Sequence, residues 1–292
     1  MRIGVFVTFF VICNKSATAF VYIKAEEFME IITHLTTPFY MNAVDCDVLG
    51  FSVDRQARYK VDGVHVCGWW GEKSTLKEDE HLLVARRAVE SSEGRIKVYA
   101  SAGSNDTAKS ESMAKELLSL GVDGISLTMP YYNKGSEKEI VKSAQKIKAL
   151  CKNKTVFFFY EKDKTLSKDG ETALEKEGVK IVRADGKWSK SAYDGDEYIL
   201  SALCVNSTLF SVLSNVFPSA ITHIREEWNN GKPEKARDMY FELEDKIRIL
   251  QSGGVPYLKY ALSLWGLSYP AVRSPYIECD DDEKALLRCF FD

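Results

Sequence analysis

The chain has 292 residues, of which 45% are hydrophobic and 28% are charged, a balance typical of a globular protein with a sizeable core. Its net charge is −3 and its isoelectric point is near 5.9, so the sequence gives no electrostatic basis for binding nucleic acid. A nucleic-acid partner is therefore not expected.

The first nineteen residues have the features of a secretory signal. Arg2 supplies a small positive region, residues 3–12 form an apolar core, and Ala17-Thr18-Ala19 fits the small-x-small cleavage pattern. Ten apolar residues are too few to span a bilayer, so no membrane partner is expected. Residues 1–19 are thus predicted to be a signal peptide, and the mature chain is predicted to be secreted or lumenal. The alternative is a buried first strand or an N-terminal helix in a cytoplasmic protein.

From residue 31 onward, strand-like runs alternate with helical patterns. The predicted strands are residues 31–36, 63–67, 96–101, 124–129, 155–160, 179–182, 198–200 and 209–213. Helical patterns fill several of the intervals, notably 44–60, 78–91 and 136–150. Eight strands alternating with helices predict an α/β protein, a (β/α)8 TIM barrel of parallel strands, over residues 20–217.

The end of the predicted barrel is compressed. Ser201 lies only eighteen positions after Arg183, and Phe210 only nine positions after Ser201, so two late barrel helices are expected to be shortened or lost. Residues 218–292 then read as helical, over 220–229, 233–251, 255–265 and 281–290. They predict a C-terminal helical extension that packs on the barrel.

The clearest unit spans residues 94–135. Strand 96–101 is followed by a small-residue loop, by a helix with Met113, Leu117 and Leu120 on one face, and by strand 124–129. Such a βαβ unit has parallel strands and a right-handed crossover. The residues that follow its second strand therefore lie at the edge where sites are built in barrels and open α/β sheets.

Several motifs in the chain resemble those of the dihydrodipicolinate synthase / N-acetylneuraminate lyase family. They are Leu35-Thr36-Thr37-Pro38-Phe39, Gly68-x-x-Gly71-Glu72, Gly103-x-Asn105-x-Thr107, Pro130-Tyr131-Tyr132-Asn133-Lys134, Ser214-Asn215-Val216-Phe217-Pro218, Gly231-x-x-x-x-Ala236 and Pro256-x-x-x-Lys259-x-Ala261-Leu262. The resemblance implies a barrel with a C-terminal helical extension and a homo-oligomer, usually a tetramer. It also implies class I aldolase-type chemistry on pyruvate or another 2-oxo acid.

The family's reaction needs a lysine at the end of the sixth strand, which attacks the keto group as a Schiff-base nucleophile. It also needs a tyrosine at the end of the fifth strand. Tyr160 stands at that tyrosine position, and Tyr132 matches the second tyrosine of the Pro-Tyr-Tyr-Asn motif. The resemblance therefore implies catalytic roles for both, with Tyr132 reaching a neighbouring subunit's site. The cysteines show no metal-ligand spacing, and no metal or cofactor is expected.

The nucleophilic lysine is missing from its expected place. The family reads Gly-Ile-Lys-x-x-x-Gly, whereas residues 180–186 read Lys-Ile-Val-Arg-Ala-Asp-Gly. Counting back from Gly186 places Val182 at the nucleophile, and one deletion would place Arg183 there. Valine has no amine and arginine stays protonated, so neither forms a Schiff base. Lys180 remains within the strand, but the two-residue period places it one layer deeper.

The loop that holds the substrate carboxylate in the family is altered as well. Trp69 and Trp70 replace a pair of hydroxyl residues before Gly71, and Lys73 stands where the family usually has a small residue. The indoles are expected to fill the pocket, or else to stack on a sugar or a cation with Arg183 nearby. Lys164 stands near the family's substrate-binding arginine and would replace it only as a point charge.

The sequence leaves three functional hypotheses. The first is a pseudo-enzyme that keeps the barrel and binds a small molecule, such as a 2-oxo acid or a sugar acid, without Schiff-base chemistry. The second is an active aldolase-type lyase on 2-oxo acid substrates that uses a relocated lysine, either Lys180 or one carried in by a rearranged loop. The third is an oligomerisation scaffold that associates with active relatives.

Overall fold

The computed structural model describes residues 8–11, 18–21, 28–130, 132, 135–160 and 166–292. Near the N-terminus, β1 (Thr8–Val11) pairs antiparallel with β2 (Thr18–Val21). Most of the predicted signal peptide, residues 1–19, lies outside the described residues.

Eight parallel strands close into a barrel, as the sequence predicts. In chain order the strands after β2 are β3 (Ile31–His34), β4 (Phe39–Tyr40), β5 (Ala43–Val44), β6 (Gly63–Val66), β7 (Lys97–Ser101), β8 (Gly124–Thr128), β9 (Thr155–Phe159), β10 (Val179–Arg183), β11 (Ala192–Asp194) and β12 (Thr208–Ser211). β4 and β5 form a small hairpin, and the other eight form the barrel. β12 pairs with β3, which closes the ring.

Helices cover the outside of the barrel. They are α1 (Cys46–Arg58), α2 (Glu78–Ser92), α3 (Thr107–Ser119), α4 (Glu137–Cys151), α5 (Lys168–Lys176), α6 (Ile199–Val205), α7 (Pro218–Asn229), α8 (Pro233–Leu264) and α9 (Asp281–Phe291). Local sequence sets several helix starts: Asp45 accepts hydrogen bonds from the first turn of α1, and Ser136 and Glu139 form a capping box on α4. In the part of the chain that the structure describes, no helix is both long and apolar enough to cross a bilayer.

The prediction and the structure differ over residues 184–205, where the connections between barrel strands are short. The predicted strand over residues 198–200 is wrong, because Tyr198 ends a short 3-10 turn and Ile199 begins α6. The seventh barrel strand is β11 instead, only three residues long. As expected, the late helices are reduced: residues 184–191 contain no helix, and α6 has seven residues.

Among the described residues, the core has three parts. One apolar cluster lies between the barrel wall and α1 to α5, and a second lies between the wall and the C-terminal helices. The third fills the barrel interior with Ile32, Tyr99, Phe157, Phe159, Val182, Ala192 and Phe210. Between residues 251 and 255, where the sequence predicts a break, Gly254 interrupts α8 with a φ of 64°, a conformation that favours glycine. The candidate site lies directly above this interior cluster, at the carboxyl ends of the barrel strands.

Candidate active site

Val182 faces the interior of the barrel. It pairs with Phe159 on β9, is fully buried, and belongs to the interior cluster with Phe159 and Phe210. An apolar side chain thus occupies the place that the resemblance gives to the Schiff-base lysine. Large aromatic rings fill the space around it.

Tyr160 and Arg183 point away from that interior. Successive strand residues face opposite sides, so the residues that follow Phe159 and Val182 lie on the outer face. The Tyr160 hydroxyl donates to Glu171 Oε1 at 3.1 Å, and Arg183 Nη2 lies 2.6 Å from Glu171 Oε2. Burial, together with Glu171, raises the pKa of Tyr160. The structure therefore places both side chains on the outer face of the barrel wall, in contact with Glu171.

Lys180 faces inward but at the other end of the barrel. Its Nζ lies 5.5 Å from the centre of the Phe157 ring, and the residue lines a cleft with Glu30 and Lys97 at the amino end of the strands. This placement agrees with the predicted deeper layer. It also separates Lys180 from the carboxyl edge of the barrel.

The two tryptophans of the loop differ in their surroundings. Trp69 is 73% exposed, whereas Trp70 is half-buried and lines a cavity of about 240 Å³ with Asp194, Glu197 and Gln251. Gly71 is buried, and a Cβ added there would lie 3.1 Å from the backbone of Leu35 and of Cys67, so its role is to let the chain pass closely. Trp70 thus borders this cavity.

The two remaining predicted site residues are Tyr132 and Lys164. Tyr132 is 82% exposed, and its backbone N–H donates to Asn105 Oδ1 at 2.9 Å. Its ring therefore points away from the interior of its own barrel. Lys164 lies outside the described residues.

A chain of polar side chains, which sequence reasoning missed, crosses the top of the interior cluster and is buried except at Asp194. His34 Nε2 lies 2.8 Å from Asp194 Oδ1, the Nδ1 atoms of His34 and His65 lie 2.9 Å apart, and His65 Nε2 lies 2.7 Å from Ser126 Oγ. Burial, and secondarily His34, holds the pKa of His65 well below its usual value. The chain carries hydrogen bonds from the Trp70 cavity, where Asp194 lies, to the opposite wall.

The cavity beside Trp70 is acidic. Asp194, Asp196 and Glu197 contribute to its lining. Burial, together with Asp196 and Asp194, raises the pKa of Glu197 to about 7. Above about pH 7, where Glu197 is ionised, such a surface repels the carboxylate of a 2-oxo acid.

Lys73 extends from the same loop toward the ends of neighbouring strands. Its Nζ donates to Ser101 Oγ at 3.1 Å and to the carbonyl oxygen of Gly103. Burial lowers the pKa of Lys73 to about 8. It is therefore a lysine at the carboxyl edge of the barrel that gives up its proton more readily than usual.

Other motif residues hold the scaffold together. Glu72 forms an ion pair with Lys259, and both side chains are fully buried. The backbone N–H of Arg273 donates to Glu72 Oε2 at 3.0 Å, and its guanidinium pairs with Glu80. These contacts tie the loop after β6 to the C-terminal helices, so the motifs here serve assembly of the fold.

Comparison with known proteins gives consistent matches. The sequence model of the dihydrodipicolinate synthetase family matches residues 27–165 and 180–290. The chain is 29% identical over 276 residues to the 4-hydroxy-tetrahydrodipicolinate synthase of Thermoanaerobacter sp., covering 87% of this chain and 92% of the relative. It is 30% identical over 274 residues to the synthase of Caldicellulosiruptor saccharolyticus, with the same coverage of 87% and 92%.

Solved structures agree with the sequence matches. The 4-hydroxy-tetrahydrodipicolinate synthase of Methylacidiphilum fumariolicum SolV superposes with a TM-score of 0.83 at 26% identity, covering 90% of this chain and 95% of that one. A dihydrodipicolinate synthase of Bacillus anthracis gives a TM-score of 0.84 at 25% identity, covering 91% and 98%. The likeness extends over nearly the whole length of both.

Proposed function

The chain belongs to the dihydrodipicolinate synthetase family, and from that premise we propose that it is a divergent member without the family's Schiff-base reaction. In this proposal the protein is a barrel that binds a small molecule at the carboxyl edge of its strands. The observation that carries the proposal is the buried Val182 at the inward position of β10.

The surroundings of Val182 support this proposal. A valine side chain has no amine with which to attack a carbonyl carbon. Phe159 and Phe210 pack in the same cluster, so a substrate would have to displace aromatic rings to reach this strand. Arg183 is held on the outer face by Glu171 and Asp185, and arginine does not deprotonate in proteins.

The charge at the barrel mouth indicates the class of ligand. Asp194 and Glu197 border the cavity beside Trp70, and an indole face attracts cations. A neutral or cationic small molecule therefore fits this cavity better than pyruvate or a sugar acid, both of which carry a carboxylate.

Turnover measurements test the proposal directly. The purified full chain is assayed for condensation of pyruvate with aspartate semialdehyde and for release of pyruvate from N-acetylneuraminate, beside an active relative of each kind. We expect no turnover by this chain under conditions in which the relatives react. Turnover within a hundredfold of either relative would overturn the proposal.

We further propose that the protein is a homo-oligomer, either a tetramer or a dimer. The exposed ring of Tyr132 at the carboxyl edge of the barrel supports this assignment, because large exposed aromatic side chains are enriched at interfaces. Light scattering coupled to size-exclusion chromatography measures the mass, and a Tyr132→Ala variant is expected to shift it toward the monomer. A monomeric wild-type chain would contradict the assignment.

We propose secretion or lumenal targeting with cleavage after Ala19, and a cytoplasmic location is the alternative. The support is the charged, apolar and small-residue order of residues 2–19. N-terminal sequencing of the protein expressed in a eukaryotic host is expected to begin at Phe20. A chain that begins at Met1 would contradict the targeting.

A further inference from the structure

Lys73 occupies an unusual position for a lysine. It follows Glu72 in the loop after β6, and its side chain reaches Ser101 at the end of β7 and the carbonyl of Gly103 beyond it. The residue is half-buried, and it lies at the carboxyl edge of the barrel. Both acceptors of its amine are neutral oxygens.

The amine has no carboxylate partner among the described residues. The neighbouring Glu72 turns its carboxylate to Lys259 and to the backbone of Arg273. The titratable groups that act on Lys73 or respond to it are the Cys67 thiol and the imidazoles of His65 and His81. None of these three supplies a fixed negative charge.

An amine in such surroundings loses its proton at a lower pH than an exposed lysine does. Burial penalises the ammonium ion, and an opposite charge that would compensate for the penalty is missing. This is the reason that the pKa of Lys73 falls to about 8. A lysine activated by desolvation is a nucleophile toward carbonyl compounds.

We propose that Lys73 is a reactive amine that forms an imine with a small neutral aldehyde at the carboxyl edge of the barrel. The lone pair of the neutral Nζ attacks the carbonyl carbon, and a proton from the nitrogen moves to the carbonyl oxygen to give a carbinolamine. Loss of the hydroxyl group with a second proton releases one water and leaves the carbon–nitrogen double bond. Amine and aldehyde together thus give imine and water, with no other reactant.

The groups that the amine contacts favour an aldehyde over a 2-oxo acid. The oxygens of Ser101 and Gly103 accept hydrogen bonds from the amine, and the Gly103 carbonyl has no proton to offer a carboxylate. A neutral carbonyl compound does not need such a donor.

Reductive labelling of the full chain tests the inference. Acetaldehyde and cyanoborohydride are added at pH 7.5, and peptide mapping by mass spectrometry gives the rate at each lysine. An amine with a pKa of about 8 has roughly 200-fold more free base at this pH than an ordinary exposed lysine. Half-burial slows access, so we expect Lys73 to react about tenfold faster than Lys187, whose side chain is 69% exposed. The rate at Lys73 should level off above pH 8.

Matched variants and a second reagent complete the test. Lys73→Arg is expected to abolish the fast label and Lys187→Arg to leave it unchanged, with circular dichroism showing that both variants fold. If Lys73→Arg does not fold, the labelling rates of Lys73 and Lys187 in the wild-type chain decide the outcome on their own. Equal labelling of Lys73 and Lys187, or faster labelling of Lys73 by pyruvate than by acetaldehyde, would overturn the inference. These outcomes are separate from the turnover assays that test the proposed function.

Discussion

The ion pair between Glu72 and Lys259 gives the sharpest test of how the scaffold is held together. Both side chains have 0% exposure, and Lys259 Nζ also donates to the carbonyl oxygen of Ala271 at 2.8 Å. A Lys259→Met substitution keeps most of the volume but leaves the Glu72 carboxylate buried without its counter-charge. Breaking a buried pair in this way costs about 3–5 kcal/mol, a large fraction of the stability of a typical domain.

Urea unfolding followed by tryptophan fluorescence measures the change in the free energy of unfolding. The matched control is Arg58→Met, because the Arg58 side chain is 72% exposed in its pair with Asp54, and an exposed pair contributes at most about 1 kcal/mol. Glu72→Gln combined with Lys259→Met is expected to recover part of the loss, since no unpaired charge is then left buried. A Lys259→Met variant within about 1 kcal/mol of the wild type would refute this reasoning.

Three further predictions concern the site and its support. Val182→Lys places an unpaired amine in the interior cluster, so we expect it to lower the free energy of unfolding by about 3 kcal/mol, measured by thermal unfolding, and to give no pyruvate turnover. A stable and active variant would contradict the filled interior. A hydrogen bond from Arg273 lowers the pKa of Glu80 from 4.5 to about 2 in the folded chain. As the pH falls from 4.5 to 2, the Glu80 carboxylate is therefore protonated in the unfolded chain before it is protonated in the folded chain, and the stability that it contributes is lost. The urea midpoints of wild type and Glu80→Gln should therefore differ at pH 6 and converge near pH 2.5, and a constant difference would argue against this linkage. Trp70→Ala is expected to cost about 2 kcal/mol in urea unfolding and Trp69→Ala less than about 0.5 kcal/mol, and equal costs would contradict their different burial.

Much of the fold follows from local sequence signals. Strands such as Thr155–Phe159 are apolar on both faces, because barrel strands are buried on both sides, and this pattern is visible in the sequence. β11 has three residues, Ala192, Tyr193 and Asp194, and carries no apolar run. Its neighbours in the barrel, rather than its own composition, make it a strand. The sequence pattern therefore placed this strand six residues too late.

The candidate site was less accessible from the sequence. In the run Phe157–Tyr160 every residue is aromatic, so nothing in the sequence marks which alternate residues face inward. The register of β9 on β10 places Phe159, and not Tyr160, beside Val182. The departure of residues 180–186 from the family's lysine motif, by contrast, is visible directly in the sequence.

The polar chain through His34 and His65 shows a second limit. Its partners lie far apart in the sequence, with His34 separated from His65 by 31 residues and from Asp194 by 160. Each histidine occupies an inward position of its strand, but that fact becomes visible only when the strand register is known. Lys73 was noticed as a departure from the motif, and its contacts with Ser101 and Gly103 required the folded barrel.

The central claim is that β10 supplies no Schiff-base nucleophile, and borohydride trapping with pyruvate measures this most directly. The purified protein is reduced with and without pyruvate, digested and mapped by mass spectrometry, with an active relative labelled in parallel. We predict that residues 179–183 gain no pyruvate-dependent mass while the relative is labelled at its lysine. A pyruvate-dependent adduct on Lys180 would contradict the account and identify the protein as an aldolase-type lyase with a displaced nucleophile.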